Sequence, residues 1–142
     1  MINFIKKYSL HMAWIIVLSG AVGSLYSSSV LHIEPCVLCW YQRIFLYPLA
    51  IIIPIGILRK DSSVYIYALP LSIAGAMVAL YHYLLYIKII PEVLAPCSAN
   101  AVSCTQELPK LFGLLDILQM SLIAFILISI LLILSKKIYG HK

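Results

Sequence analysis

The stretch "VYIYALPLSIAGAMVALYHYLLYI", Val64–Ile87, contains no charged residue. Coiled as an α-helix at 1.5 Å per residue, it is about 36 Å long, enough to cross a hydrocarbon core of about 30 Å. Lipid offers no partner to a backbone amide, so a run of this kind crosses as a helix, with its hydrogen bonds satisfied internally.

Three further apolar runs flank it, at about 11–30, 41–58 and 114–135. The 142 residues are 63% hydrophobic and 11% charged. A soluble domain of this length buries only part of its surface and could not hide so much apolar area. The sequence therefore predicts an all-α membrane protein, a single four-transmembrane-helix bundle over residues 1–142. Lys6 and Lys7 before the first run resemble a signal peptide, but that run is long enough to span and "SLYSSS" is a poor cleavage site. It is expected to stay as the first helix.

The formal net charge of +5 is not a nucleic-acid signature, because the basic residues sit at the ends of apolar runs rather than in one patch. Lys6, Lys7, Arg59, Lys60, Lys136, Lys137 and Lys142 fall on one side of a four-span topology. Arg43, Lys88 and Lys110 fall on the other. The positive-inside rule then places both termini in the cytoplasm, with two external cysteine-bearing loops.

That orientation sorts the cysteines. Cys36 and Cys39 lie between the first two runs, and Cys97 and Cys104 lie between the last two. All four face the external, oxidising side, which points to disulfide chemistry. Three readings fit the spacing: structural staples, a four-thiolate metal centre, or redox catalysis. The gap in "CSANAVSC" is wide for zinc, and no metal is expected. A C-x-x-C bridge closes too small a loop to be an effective staple. As a redox pair it is well placed: Pro35 marks a helix start, and a helix N-terminus stabilises a thiolate. Arg43 falls about a turn inside the external boundary, either snorkelling to the head groups or acting as a cation and donor beside Cys39.

"PCVLCWYQRIFLYPL" resembles the signature of the DsbB/BdbC family of membrane thiol–disulfide oxidoreductases, and looks most like the shorter BdbC branch. The resemblance extends over four spans, C-x-x-C at the head of the second, an arginine four residues on, and a second external pair. It implies a quinone-dependent thiol oxidase of the bacterial cytoplasmic membrane. Such a protein reoxidises an extracytoplasmic thioredoxin-fold (DsbA/BdbD-like) disulfide donor and passes electrons to menaquinone or ubiquinone and the respiratory chain. It further implies redox-active disulfides Cys36–Cys39 and Cys97–Cys104. Cys97 would meet the partner's thiol, Cys104 would exchange with Cys36, Cys39 would face the quinone, and Arg43 would help to hold it. The competing readings are a vitamin K epoxide reductase-like enzyme, which usually carries C-x-x-C in its last span, and a non-catalytic membrane protein with two structural disulfides.

His82, near the outer end of the third run, is a candidate quinone contact, since an unpartnered histidine in lipid is costly. Trp40 and Tyr47 are candidates for the same site, although an aromatic belt accounts for them almost as well. Pro54 and Pro70 are expected to kink their helices. Gly20, Gly23 and Gly75 are expected to mark close helix contacts.

Overall fold

The computed structural model describes residues 2–30, 32, 35–61, 63–90 and 117–139. They form four helices: α1 (Ile2–Ser29), α2 (Val37–Arg59), α3 (Val64–Tyr86) and α4 (Ile117–Tyr139). No strand occurs among the described residues. Each helix contains a segment long and apolar enough to cross a membrane: Tyr8–Ser29, Val37–Arg59, Val64–Tyr86 and Leu118–Ser135. The chain is a multi-pass membrane protein.

The helices pack as a ring, α1 against α2, α2 against α3, α3 against α4, and α4 back against α1. Its centre is filled by Val17, Leu49, Ile53, Ala68, Ala79, Ile128 and Leu132, all without solvent-accessible surface. The outside is equally apolar. Ile51 is 61% exposed while Ile53, two residues on, is fully buried. Lipid tails are as apolar as the core, so burial does not drive the helices together; close packing and interhelical hydrogen bonds do.

Both are visible between α3 and α4. The Ser72 hydroxyl donates to the Phe125 carbonyl oxygen (3.2 Å) and lies 2.8 Å from the Ser129 hydroxyl. Gly75 packs so closely against the Phe125 ring that a Cβ there would overlap it. Gly56 stands in the same relation to Val64. Gly20 meets Leu46 at ordinary van der Waals distance, and Gly23 has nothing within 4 Å, so the small-residue reading fails at Gly23, which faces outward.

α2 starts at Val37, just after Pro35 and the Cys36 cap and earlier than the apolar run beginning at 41, and within it Gln42 and Arg43 are buried and partnered. It continues through Pro48 and Pro54, and α3 continues through Pro70. α2 ends at Lys60, whose φ of 51° is left-handed. There Lys60 N–H donates to Ile57 O (3.2 Å) and Asp61 N–H to Gly56 O (2.9 Å), the paired bonds of a Schellman cap. Lys88 (φ 59°) ends α3 in the same way, with bonds to Leu85 O and, from Ile89, to Leu84 O. In the tight connection between α2 and α3, Asp61 accepts from the Ser63 amide (2.8 Å) and the Tyr67 hydroxyl.

At the opposite end of α2 a second, smaller cluster forms. Cys36, Leu38 and Leu85 are buried together, with Cys39, Val78, Tyr81 and Ile90 against them. This is where the start of α2 meets the end of α3.

Candidate active site

Cys36 is the N-cap of α2, with extended backbone (φ −66°, ψ 167°) and a carbonyl that accepts from Trp40 N–H (3.2 Å). Cys39 follows within the first turn. The two sulfurs lie 3.4 Å apart as thiols, close enough to share a hydrogen bond and well beyond a disulfide length. Cys36 is buried and Cys39 half-buried.

Proline before the helix and valine as its first residue leave the cap without a hydroxyl or carboxylate, and no side chain caps α2. The positive end of the helix dipole therefore acts on the Cys36 sulfur. A Cys39 S–H donated to Cys36 holds the Cys36 thiol well below its ordinary value; burial opposes this, and His82 adds to the lowering. The helix terminus and these donors together favour the thiolate form of Cys36.

His82 reaches this sulfur from α3. It has no exposed surface, and its Nε2 lies 3.6 Å from Cys36 Sγ. On its other side, Nδ1 is 3.3 Å from the Gln42 side-chain nitrogen. A Gln42 amide N–H donated to Nδ1 leaves the imidazole proton on Nε2, aimed at Cys36. The cost of an imidazole at membrane depth is met from both sides.

Arg43 is also buried, at 9% exposure, but turns the other way around α2. Its Nη2 donates to the Ser24 carbonyl oxygen (3.0 Å) and to the Ser28 hydroxyl, both on α1. Its guanidinium carbon lies 5.3 Å from the Trp40 ring centroid, within cation–π range. Both hydrogen bonds run from Nη2, and among the described residues Nε and Nη1 make none. Rather than snorkelling to solvent, the arginine is held inside the bundle.

The structure thus brings together Cys36, Cys39 and His82, with Arg43 and Trp40 on the neighbouring face of α2. Trp40 is 54% exposed and looks outward. Tyr47 is half-buried, about one helical turn beyond Arg43 on α2. Cys97 and Cys104 lie outside the described residues. Gln42, Ser24 and Ser28 carry part of the site without having been singled out by sequence reasoning. For Gln42 a signal existed: an amide beside an arginine in an apolar run requires a partner.

The family profile described as "Disulfide bond formation protein DsbB" matches residues 6–135. A "Probable disulfide formation protein" of Chlamydia caviae is 47% identical over 135 residues, 95% of this chain and 96% of the relative. One from Metapseudomonas resinovorans is 41% identical over 126 residues, covering 89% and 88%. A "Probable disulfide formation protein C 1" of Bacillus anthracis is 39% identical over 125 residues, covering 88% and 89%. No solved structure matches the chain significantly.

Proposed function

The chain belongs to the DsbB family of membrane disulfide bond formation proteins, and on that premise we propose that it is a quinone-linked thiol oxidase serving an extracytoplasmic thioredoxin-fold disulfide donor. The observation that carries the reading is the Cys36–Cys39 pair at 3.4 Å, seated at the head of a membrane-spanning helix with a buried cation one turn on.

In the proposed relay a reduced partner's thiolate attacks the Cys97–Cys104 disulfide at Cys97. The partner's second thiol releases it as a disulfide, leaving Cys97 and Cys104 reduced. The Cys104 thiolate then attacks an oxidised Cys36–Cys39 pair at Cys36, expelling Cys39 as thiolate, and Cys97 resolves the Cys104–Cys36 bond. Two electrons and two protons have moved from the partner to Cys36 and Cys39. Exchange favours a thiolate of low basicity as leaving group, and the cap position of Cys36 supplies one.

A quinone, when bound, supplies the two-electron, two-proton acceptor that returns Cys36 and Cys39 to the disulfide. The donor set fits such a group. The Arg43 guanidinium would donate to a carbonyl oxygen, and Trp40 and Ile44 are exposed apolar surface on the same part of α2. Arg43 orients, Trp40 covers, and the Cys36 sulfur holds its charge against His82. His82 faces Cys36 and Gln42, so its part in the relay is to position the thiolate. The active cysteines face the external side of a bacterial cytoplasmic membrane in this reading, supported by the excess of lysine and arginine on the opposite side.

The test uses fully reduced protein in detergent, mixed anaerobically with a soluble quinone. Quinone absorbance and thiol count are followed together in wild type and Cys39→Ser. Loss of two thiols per quinone reduced, absent in the variant, is the expected result. Untouched quinone in the wild type rejects the reading.

A further inference from the structure

The geometry points to a second use of the reduced pair: Cys36, Cys39 and His82 form a binding site for a thiophilic divalent cation such as Zn²⁺, which blocks the cysteines while bound. Their three ligand atoms all lie within 4.8 Å of one another. Two thiolates and an imidazole nitrogen around a tetrahedral zinc, at about 2.3 Å and 2.0 Å from the metal, stand about 3.8 Å (S to S) and about 3.5 Å (S to N) apart. The observed separations are 3.4 Å between the sulfurs and 3.6 Å from Cys36 Sγ to His82 Nε2. Both lie within a few tenths of an ångström of those values, the remaining Cys39–His82 separation stays within 4.8 Å, and the ligands come from the start of one helix and the end of a second packed against it.

The surroundings suit the role. A metal-bound imidazole is normally oriented by a hydrogen bond at its other nitrogen, and Gln42 already stands at Nδ1. An amide offers both a donor and an acceptor. Turned one way Gln42 serves the metal-free ring; turned the other, its carbonyl oxygen accepts the Nδ1 proton left when Nε2 binds a cation. Three protein ligands of this Cys₂His type, with a water completing the shell, are an established zinc complement. The sequence could not reveal this, because the third ligand lies 46 residues from Cys36.

Binding and oxidation exclude each other. Coordination takes the two sulfurs as thiolates, releasing whatever thiol protons they still carry. Disulfide formation removes two electrons and draws the sulfurs to about 2.05 Å, destroying both ligands. A cation must leave before the pair can be oxidised, so external zinc or cadmium would arrest the cycle in its reduced state. The cation site is independent of the quinone reading, since it requires only the reduced thiols and His82.

The experiment uses the full chain in detergent carrying Cys97→Ser and Cys104→Ser, so that the loop thiols contribute nothing. Cd²⁺ is titrated and read by its thiolate charge-transfer absorption, with Zn²⁺ as competitor. One equivalent is expected to bind the reduced protein and none the Cys36–Cys39 disulfide form. His82→Phe is expected to weaken binding at least tenfold, and Gln42→Leu by about tenfold. Cadmium NMR of the unsubstituted site provides a reading that does not depend on those variants folding, and should report two sulfurs and one nitrogen. No binding, equal binding by the oxidised form, undiminished affinity in His82→Phe, or a sulfur-only cadmium signal would each overturn the site. No quinone or partner enters the measurement, so its failure leaves the thiol oxidase reading untouched.

Discussion

His82 Nε2 lies 3.6 Å from Cys36 Sγ, joining the end of α3 to the start of α2 across 46 residues of sequence. The contact gives the reduced pair its asymmetry, because the imidazole addresses one sulfur only. His82→Phe removes a donor that favours the Cys36 thiolate. The thiolate fraction at a given pH then falls, and the alkylation profile of Cys36 moves to higher pH. On the acid limb of the profile, where the thiol form predominates, moving the midpoint up by one pH unit slows alkylation about tenfold. The rate of iodoacetamide labelling against pH, in a Cys39→Ser background with and without His82, measures it. An unmoved profile would leave the acidity to the helix terminus and the donor at position 39, with no part for His82.

Arg43→Ala severs the bonds to Ser24 and Ser28 and removes the cation over Trp40. Quinone KM is expected to rise more than the rate of thiol exchange with the partner falls. Arg43→Lys keeps the charge but not the fork, and should recover only part of the loss. Steady-state kinetics with each substrate varied in turn separates the two effects.

Gly75→Val forces a side chain into the Phe125 ring and parts α3 from α4. A cost of about 1–3 kcal/mol is expected from overpacking. Ser72→Ala, which loses an interhelical hydrogen bond, should cost about 0.6 kcal/mol. Reversible unfolding in mixed micelles can rank the two.

Lys60→Gly places the residue suited to φ 51° at the Schellman position that closes α2. Relief of left-handed strain is expected to stabilise the protein by about 0.5–1 kcal/mol, measured by the same unfolding assay.

Much of this was legible in the sequence. Uncharged runs such as Val64–Ile87 announce helices because lipid leaves the backbone no other solution. Pro35, Cys36, Cys39 and Arg43 lie within a few turns of one another, so their grouping follows from local geometry. What hydropathy cannot convey is how each helix is rotated. Ile51 faces outward and Ile53 inward, with the same side chain at both positions. For that reason the meeting of His82 with Cys36 and Gln42, and of Arg43 with two serines of α1, required the packed bundle. Gly23 shows the opposite error: a small residue in a span matters only where a neighbouring helix approaches it.

Cys36 is a cap and Cys39 a member of the first helical turn, so the two are not equally free. Bringing the sulfurs from 3.4 Å to bonding distance means moving one by roughly 1.4 Å. The residue outside the helical ladder can swing by a side-chain rotation that disturbs no α2 backbone bond, whereas Cys39 is fixed in the coil. The sulfur movement that accompanies opening and closing of the bond is then a local side-chain rotation, inside a scaffold that keeps its helical hydrogen bonds. Turnover would be limited by the arrival and departure of the molecules that exchange electrons with the pair, and a bundle stabilised at Lys60 would turn over no more slowly.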